Sequence, residues 1–592
     1  MLGREPIQRL SCGPAKGNEG ESPVQYDYVI IGGGSAGCVL ANRLSADLNK
    51  TVCLIEAGPN ESPEHMPQSL YEASFLPDYF EDKRYWTKLE AFMDPIGNKT
   101  VDEVAASGKA RRYEQARVIG GGSAVNGQVA IRGIPSDYDE WAAAGADGWT
   151  YKDVLPYFNK LERDLDFDGP YHGKQGPIPI HRIFPQDWGG LSLAFRDAVA
   201  TRGVPYYDDC HANFTDGCFP FTRNNAYLHR VSANTGYLDG ATRQRKNLHI
   251  TGESFVDSFV FEGNRVVGAR VRRGGKTDVI KGREIILSAG AIHSPAMLMR
   301  AGIGPGDHLQ ERGIAVRVDR PGVGSNLQDH PLIGYGLHLK PEGRMAETLR
   351  CNFLLHMRWS SKFEGCTPMD MKLSVSNRFS WSKMGQQIAT IQFGANKAYS
   401  RGFVRLKNSS PDEEPIVAFN LLSDPRDLER TKWAARFVYD VLMNGPVKGM
   451  YHSAWPGIYA DSVRNLQPET GLNKLITNAA AFLLDLGGPA RAFVIKQAID
   501  PRFDLHEIQK NEKLMEEWIR AGVQGDWHAC GTCRMGRKDD RMAVTDPQGR
   551  VYGIEGLRVV DASIMPSVPC ANTNISTIMI GEKMSDHIKA AG

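Results

Sequence analysis

A short apolar run that ends in a cluster of glycines places the tightest constraint on how this chain can fold. Residues 28–31 (YVII) are rich in β-branched side chains, which is typical of a buried strand. Residues 32–37 (GGGSAG) fit the pattern G-x-G-x-x-G, and a helical pattern follows at 38–44. Strand, glycine turn and helix in this order are the context in which the pattern indicates dinucleotide binding.

The glycines of this motif have separate roles. Gly32 permits the tight turn, Gly34 lets the backbone approach a pyrophosphate, and Gly37 allows the helix to pack closely on the strand. The N-terminus of the helix that follows offers unpaired N–H groups and the positive end of its dipole, both of which favour phosphates. A glycine-rich turn that binds no ligand is the alternative interpretation.

An acidic residue at the expected distance favours the dinucleotide interpretation. A second apolar strand at 51–55 ends at Glu56, which lies 19 residues after Gly37. A carboxylate in this place binds ribose hydroxyls and disfavours a 2′-phosphate. We therefore expect FAD or NAD as the ligand rather than NADP.

Length and charge narrow the class of protein further. With 592 residues the chain is too long for one hydrophobic core, so we expect two closely packed domains. The net charge is +1 and no basic block occurs, which argues against a nucleic-acid partner. No apolar stretch of about 18 residues is present, so no membrane span is expected.

The N-terminus and the cysteines bear on the compartment. Residues 1–24 are polar, rich in Gly and Pro, and lack the apolar segment of a secretory signal, so we expect a disordered extension. The ten cysteines are scattered, and several, such as Cys38 and Cys53, lie in core patterns. This usage indicates a reduced, cytoplasmic protein rather than a disulfide framework.

The rest of the chain divides into loop-rich nucleotide-binding segments and a different middle part. Alternation at 247–287 around Gly263-Asn264 predicts a hairpin, and the strand at 284–287 runs into small residues like a returning nucleotide-domain strand. Residues 333–520 lack glycine-rich loops and carry aromatic residues and methionines, which predicts an antiparallel sheet with helices over a substrate pocket. Within them, the apolar run 479–484 predicts a core helix rather than a membrane or channel element, although it could still line an entrance.

Six blocks in this order resemble the glucose–methanol–choline (GMC) oxidoreductases, flavoproteins that oxidise alcohols. They are GGGSAG with Glu56, 117–126 with Arg132-Gly133, 288–295, 321–330, 528–536 and 561–574. The resemblance covers the chain after residue 25 and is greatest to the bacterial hydroxymethylfurfural oxidases, where it extends to 176–180 and 420–428; aryl-alcohol oxidases are the next comparison.

The resemblance implies an α/β fold, α+β overall. A Rossmann-like FAD-binding domain would comprise 25–190, 230–332 and 521–592, and a substrate-binding domain on an antiparallel sheet flanked by helices would comprise 191–229 and 333–520. The implied FAD-binding residues are Gly32, Gly34, Ser35, Ala36, Glu56, Trp86, Val118, Gly121, Asn126, Val256, Asp561, Ala562 and Thr573. Relatives that attach FAD covalently use a histidine in the 120–126 loop, where Val125 stands here, so we expect non-covalent FAD.

The resemblance also implies the catalytic residues. His528 would be the base that takes the hydroxyl proton while the carbon-bound hydrogen leaves as hydride to the flavin, because imidazole, with a pKa of ~6.5, is largely neutral near pH 7. Asn572 would hold the substrate oxygen, with Asn574 as the alternative. A histidine satisfied in the core is the other interpretation of His528; His293 and His330 are predicted to be structural.

The substrate pocket and the cysteine pair complete the predictions. Trp527, Phe393 and Ala395 are predicted to line a flat apolar pocket suited to an aromatic or furanic primary alcohol, whereas Asp526 stands where an apolar residue is expected. Cys530 and Cys533 form C-x-x-C without the second ligand pair that a zinc site needs, so a packed turn is favoured over a redox pair, and no metal is predicted.

The function predicted from the sequence is an FAD-dependent oxidase of hydroxymethylfurfural-like primary alcohols that uses O2 and yields H2O2. A dehydrogenase that passes electrons to a quinone or a protein is the first alternative. A hydroxynitrile lyase or photodecarboxylase of the same fold is the second, and a binding module without activity is the weakest because its flavin loops would be unused.

Overall fold

Two seven-stranded sheets, one largely parallel and one antiparallel, organise the chain. This computed structural model describes residues 25–72, 82–226, 229–349, 351–458, 464–497 and 499–591. The predicted disordered extension at 1–24 lies outside the described residues.

The strands are β1 Gln25–Ile31, β2 Val52–Ile55, β3 Glu90–Phe92, β4 Arg111–Arg112, β5 Glu162–Asp164, β6 Ile178–Arg182, β7 Gly217–Pro220, β8 Thr222–Arg223, β9 Asn225–Ala226, β10 His229–Arg230, β11 Leu248–Thr251, β12 Phe255–Glu262, β13 Arg265–Arg273, β14 Lys276–Leu287, β15 Ile303–Gly304, β16 Val318–Asp319, β17 Pro331–Leu339, β18 Phe353–Trp359, β19 Met371–Ser376, β20 Ile388–Ala395, β21 Phe403–Arg405, β22 Ile416–Ala418, β23 Tyr451–Pro456, β24 Gln524–Gly525 and β25 Leu557–Val559.

The α-helices are α1 Ser35–Leu44, α2 Gln68–Tyr71, α3 Val101–Ala105, α4 Gly122–Val125, α5 Pro135–Ala143, α6 Tyr151–Leu161, α7 Gly190–Ala200, α8 Ala233–Tyr237, α9 Gly240–Arg243, α10 Gly290–Arg300, α11 Gly306–Glu311, α12 Lys383–Gln387, α13 Pro425–Met443, α14 Gly471–Leu486, α15 Gly488–Lys496, α16 Glu507–Lys510, α17 Glu512–Gly522 and α18 Thr573–Ala591. Among the described residues, no helix is long and apolar enough to cross a membrane.

The first sheet has the order β11-β2-β1-β14-β13-β12, with β25 pairing on β14. The pairs β11–β2, β2–β1, β1–β14 and β14–β25 are parallel, whereas β12 and β13 join by an antiparallel hairpin. The β-branched and apolar residues of β2 are all buried, as expected for a parallel sheet covered on both faces. This arrangement confirms the predicted α/β fold and the hairpin around Gly263-Asn264.

The second sheet is antiparallel and has the order β23-β17-β20-β19-β18-β7, with β24 pairing on β17. Its strands lie in the segments predicted for the substrate-binding domain, except for the first residues of β17 and for β24. The antiparallel sheet predicted for 333–520 is therefore present, while the domain boundaries themselves stay a prediction.

The helix predicted for the core at 479–484 lies at the surface instead. It belongs to α14, where Ala481 and Leu484 are buried but Phe482 is 67% exposed. Ala479, Ala480 and Leu483 line a large cavity. The prediction of a core helix is wrong, because an apolar run alone does not distinguish a core helix from one that lines an opening.

A buried carboxylate attaches the C-terminal helix α18 to α1. Glu582 of α18 is fully buried and accepts hydrogen bonds from Arg43 of α1 (2.7 Å) and from the Tyr237 hydroxyl (2.7 Å). It also lies 3.2 Å from Lys160. α18 thereby anchors the helix that follows the first glycine motif.

We expect Glu582→Ala to destabilise the protein strongly, because Arg43 would keep a largely buried charge without its partner. Breaking a buried ion pair costs about 3–5 kcal/mol, which would appear as a fall of several degrees in the melting temperature. Asp586→Ala is the matched control, since Asp586 lies one turn later and pairs with Lys160 at the surface, where a pair contributes at most about 1 kcal/mol. Equal melting temperatures for the two variants would contradict this account.

Candidate active site

A single large cavity runs from the carboxyl ends of the parallel strands to the antiparallel sheet. Its volume is ≈ 1100 Å³. Open parallel sheets bind ligands at this edge, outside the carboxyl ends of their strands. The cavity therefore has a nucleotide end near the first sheet and a second end under the antiparallel sheet.

The nucleotide end contains every residue predicted to hold FAD. These are Gly32, Gly34, Ser35, Ala36, Glu56, Trp86, Val118, Gly121, Asn126, Val256, Asp561, Ala562 and Thr573, all of which line the cavity. Tertiary folding thus brings together residues from six separate stretches of the chain. Their individual contacts with a cofactor stay predictions.

The backbone at this end is shaped for a close approach. Gly32 has φ +102°, and a Cβ there would lie 2.4 Å from the carbonyl oxygen of Ser288. A Cβ on Gly34 would instead meet nothing nearer than 3.9 Å, so this residue leaves open space beside the start of α1. No side chain caps α1, whose first residues, Ser35 and Ala36, line the cavity and have N–H groups without helical partners.

The polar groups at this end also fit a dinucleotide. Both carboxylate oxygens of Glu56 accept backbone N–H groups, from Gly33 and Gly58 at 2.8 Å, which fixes the carboxylate and leaves lone pairs for ribose hydroxyls. Nδ2 of Asn574 is buried, makes no hydrogen bond with the described residues, and belongs to a side chain that lines the cavity. An unsatisfied donor of this kind is expected where an acceptor-rich ligand binds. The residues present therefore fit FAD.

At the other end, the cavity contains His528 and Asn572, whose side chains are in contact. Nε2 of His528 lies 2.9 Å from Nδ2 of Asn572. Asn574, the alternative partner in the prediction, instead accepts a hydrogen bond from Ser35 through Oδ1 (2.9 Å). The geometry therefore favours Asn572 over Asn574 as the partner of His528.

His330, which the sequence analysis assigned a structural role, determines which nitrogen of His528 carries the proton. Nε2 of His330 is 3.1 Å from the carbonyl oxygen of Pro569, which can only accept, so this nitrogen is protonated. Burial holds the pKa of His330 well below its usual value, so the ring is neutral and its Nδ1 accepts. Nδ1 of His528, 2.8 Å away, must then donate, and the lone pair of His528 lies on Nε2.

A buried carboxylate positions this pair of histidines. Oδ1 of Asp329 accepts the backbone N–H groups of His330 (2.7 Å), Asp526 (3.1 Å) and His528 (3.0 Å). Burial and the nearby Asp526 charge raise the pKa of Asp329 to about 7. Trp527, between Asp526 and His528, has φ +56°, a left-handed conformation that costs energy for a bulky residue and is held by these flanking bonds.

The structure explains the charged residue found where an apolar one was expected. Asp526 accepts a hydrogen bond from Lys372 of β19, and both side chains line the cavity. Burial raises the pKa of Asp526, but Lys372 outweighs it and holds this pKa below its usual value. Oδ2 of Asp526 is also 3.5 Å from Nδ1 of His528.

The protonation state of His528 follows from the same groups. Burial lowers its pKa to about 4, an effect that Asp526 opposes and Lys372 reinforces. His528 is therefore a neutral imidazole near pH 7, with its lone pair directed into the cavity beside Asn572.

Two residues predicted for the substrate pocket lie elsewhere. Phe393 and Ala395 of β20 are fully buried in the core, and only Trp527 of the three predicted residues lines the cavity. Successive side chains of a strand point to opposite faces, so the neighbours Thr390 and Gln392 face the cavity instead. The prediction is wrong by one position along the strand for Phe393, and Ala395 lies beyond the residues of β20 that line the cavity.

The cysteine pair packs in a turn. Cys530 and Cys533 are both buried and free, and burial raises the pKa of Cys530 to about 12. Backbone hydrogen bonds in both directions between Gln328 and Cys530 (3.1 Å each) join this turn to the loop that carries His330.

Four side chains with metal-ligand chemistry cluster outside the cavity: Glu162, Asp164, His172 and His211. Arg132 pairs with Glu162, and Arg182 pairs with Asp164 at 2.9 Å. Hydrogen bonds to Asp164 and Asp209 outweigh burial and raise the pKa of His172 to about 11, so this ring is cationic. Arg132, Arg182 and the cationic His172 thus neutralise the carboxylates of this cluster.

Comparison with known proteins supports the family predicted from the sequence. The GMC oxidoreductase family matches residues 26–332 with its N-terminal part and 398–581 with its C-terminal part. This chain belongs to the GMC oxidoreductase family. The predicted family membership is therefore confirmed.

Relatives of this GMC oxidoreductase include several named enzymes. The chain is 40% identical to 5-(hydroxymethyl)furfural oxidase of Methylovorus sp. (strain MP688), covering 95% of this chain and 98% of the relative. It is 32% identical to oxygen-dependent choline dehydrogenase of Rhizobium rhizogenes, covering 95% and 96%. Among solved structures, pyridoxine 4-oxidase from Mesorbium loti matches with a TM-score of 0.77 and 27% identity, covering 96% and 99%.

Substitutions at two glycines of the first motif should distinguish an effect on folding from an effect on cofactor binding. A Cβ at Gly37 would lie 2.0 Å from the carbonyl oxygen of Gly32, so Gly37→Ala should displace α1 and lower the melting temperature of the apoprotein by several degrees. Gly34→Ala should leave that temperature nearly unchanged, yet weaken FAD binding about tenfold or more, because its methyl group would face the pyrophosphate. Thermal melting of the apoprotein and an FAD titration measure the two effects. Wild-type FAD affinity in Gly34→Ala would contradict the placement of the pyrophosphate.

Proposed function

We propose that this protein is an FAD-dependent oxidase of primary alcohols, aromatic or furanic and hydroxymethylfurfural-like, with His528 as the base. What supports this most is the lone pair on Nε2 of His528, which faces the cavity and is assigned by the hydrogen bonds of His330 with the Pro569 carbonyl and with Nδ1 of His528. The name of the 40% identical relative, a 5-(hydroxymethyl)furfural oxidase, supports the substrate class.

Bound FAD would supply the acceptor for the hydride that leaves the carbinol carbon. The loop at Gly32–Ala36, together with Glu56 and Asp561, would hold it. Non-covalent binding is part of the proposal, because Val125, which lines the cavity, offers no nucleophile for attachment.

The proton moves to His528. In the substrate-free site, the Asn572 amide donates a hydrogen bond to Nε2 of His528. When substrate binds, the alcohol hydroxyl replaces the amide as the donor to Nε2. Nε2 accepts the hydroxyl proton, and the second N–H of Asn572 donates to the oxygen as negative charge develops. The Asp526 carboxylate, 3.5 Å from Nδ1, stabilises the imidazolium that results.

The acceptor and the compartment belong to the proposal as well. Both the furfural oxidase and the oxygen-dependent choline dehydrogenase carry names that imply reaction with oxygen, so we propose O2 as the acceptor and H2O2 as the product. The cysteines of the described part of the chain are free, which fits a reducing compartment such as the cytoplasm.

The central experiment compares His528→Ala with wild type in anaerobic flavin reduction by 5-hydroxymethylfurfural. Loss of a general base lowers the rate by roughly 10²–10⁴-fold. Because the base must be neutral and burial sets its pKa to about 4, wild-type kcat/KM should stay flat as pH falls past ~6.5 and decline only below about 5.

His452→Ala serves as control, since His452 lies outside the cavity lining. In air, each aldehyde formed should yield one H2O2. Turnover only with an artificial electron acceptor would favour the dehydrogenase, and a flavin that no alcohol bleaches would exclude alcohol oxidation altogether.

His330 is a positioning residue in this mechanism. His330→Leu removes the acceptor for Nδ1–H of His528, so the ring is no longer held in the reactive tautomer, and we expect the flavin-reduction rate to fall about tenfold or more. His330→Asn offers an amide oxygen in its place and should recover part of the rate and the wild-type pH profile. Stopped-flow reduction across pH measures both, and identical rates in the two variants would argue for a packing role alone.

A further inference from the structure

Part of the cavity wall formed by the antiparallel sheet is polar. On β19, the residues that line the cavity are Lys372, Ser374 and Ser376, and on β20 they are Ile388, Thr390 and Gln392. The residues between them along each strand are apolar and buried. β19 and β20 therefore turn apolar side chains to the core and mostly polar ones to the cavity.

Strand register arranges three of these polar side chains in a row. His356 of β18 pairs with Ser374 of β19, which pairs with Gln392 of β20, which pairs with Gly334 of β17. All four residues line the cavity. Cross-strand neighbours lie about 5 Å apart, so the row spans the wall, and the glycine at its end leaves room beside it.

The row is unsatisfied. His356 is 5% exposed, and neither of its ring nitrogens makes a hydrogen bond of normal geometry with the described residues. Among the described residues, the side chains of Ser374 and Gln392 likewise have no hydrogen-bond partner. Other polar side chains on this side of the protein, such as Ser192 and Asn377, do have one. Buried polar groups such as the His356 ring are normally paired, whereas Ser374 and Gln392 are half-buried at the cavity surface, so all three side chains are available to hydrogen-bond a ligand.

The charged groups around the row already have hydrogen-bond partners in the protein. Lys372 binds Asp526, and Oδ1 of Asp329 accepts three N–H groups. Nη2 of Arg358 donates to the backbone carbonyl oxygens of Cys210 (2.9 Å) and Asn213. Burial lowers the pKa of His356 to about 3, so this ring is neutral. An ionised ligand group would be desolvated here, because Arg358 does not line the cavity and Lys372 is already bound to Asp526, whereas a neutral hydroxyl or carbonyl would meet donors and acceptors.

The position of the row relative to His528 sets the shape of the ligand. Lys372, which reaches Asp526 beside His528, is two residues before Ser374 on β19, and two residues of a strand span about 7 Å. A planar ring whose carbinol lies at His528 would therefore place its opposite substituent at the row.

We propose that His356, Ser374 and Gln392 form a specificity subsite that hydrogen-bonds an uncharged hydroxyl or carbonyl group on the substrate, opposite the carbinol that reacts. The substrate class is then a bifunctional alcohol, and both a plain alkyl-substituted ring and a ring carboxylate are disfavoured. This inference rests on the proposed alcohol oxidation and adds to it the residues that select the substrate.

The test uses three furfuryl alcohols that differ only at position 5: methyl, hydroxymethyl and carboxylate. Anaerobic flavin reduction gives the second-order rate constant for each. After the twofold statistical correction for its two carbinols, the hydroxymethyl compound should react at least about fivefold faster than the methyl compound, as one or two neutral hydrogen bonds imply. The carboxylate should react more slowly than the methyl compound.

Variants assign the preference to the row. His356→Phe and Gln392→Leu should each reduce the hydroxymethyl-to-methyl ratio towards one, because each slows the hydroxymethyl compound more than the methyl compound. His338→Phe is the matched control: His338 is a buried histidine of the same sheet whose ring nitrogens also lack partners among the described residues, but it does not line the cavity. That variant should keep the wild-type ratio.

The outcomes separate this inference from the proposed function. If no furfuryl alcohol bleaches the flavin, the proposed oxidation fails. If all three bleach it and the methyl and hydroxymethyl compounds react equally in wild type, the oxidation stands and the subsite is refuted. A preference that survives in both His356→Phe and Gln392→Leu would also refute the subsite.

Discussion

One buried carboxylate joins the two loops on which the chemistry depends. Oδ1 of Asp329 accepts N–H groups from its neighbour His330 and from Asp526 and His528, which are almost two hundred residues away in sequence. Three hydrogen bonds to one oxygen fix the backbone on both sides of Trp527 and hold its left-handed conformation. The two imidazoles are thereby brought within 2.8 Å of each other.

The contact between the two imidazoles determines how the site is protonated. The carbonyl oxygen of Pro569 can only accept, so the tautomer of His330 is set, and with it the tautomer of His528. Burial keeps both rings neutral. The ion pair of Lys372 and Asp526 keeps a carboxylate near Nδ1 without a net charge in the resting cavity. A base that is neutral at rest and has a carboxylate 3.5 Å from its other ring nitrogen suits the removal of a hydroxyl proton.

The two ends of the cavity are built on different principles. At the nucleotide end, backbone N–H groups and glycines without side chains shape the surface, so the contacts depend little on which side chains surround them. Under the antiparallel sheet, side chains of alternate residues form the wall, and register decides which ones meet. Selectivity for the alcohol is therefore expected to reside in the sheet, and affinity for the cofactor in the loops.

The sequence by itself determined the local motifs. The strand, glycine turn and helix at 28–44 and the family blocks with His528 and Asn572 could all be found there, because close backbone approach restricts the residues that fit and leaves a pattern at fixed spacing. Tertiary structure alone decided what the pattern does not encode. It placed Phe393 and Ala395 in the core, because a face assignment slips by one residue unless the register of the strand is known. It also placed α14 at the surface. The contacts of His330, Lys372 and the row at His356 could be found only in the structure, because these side chains meet only when strands and loops distant in sequence pack together.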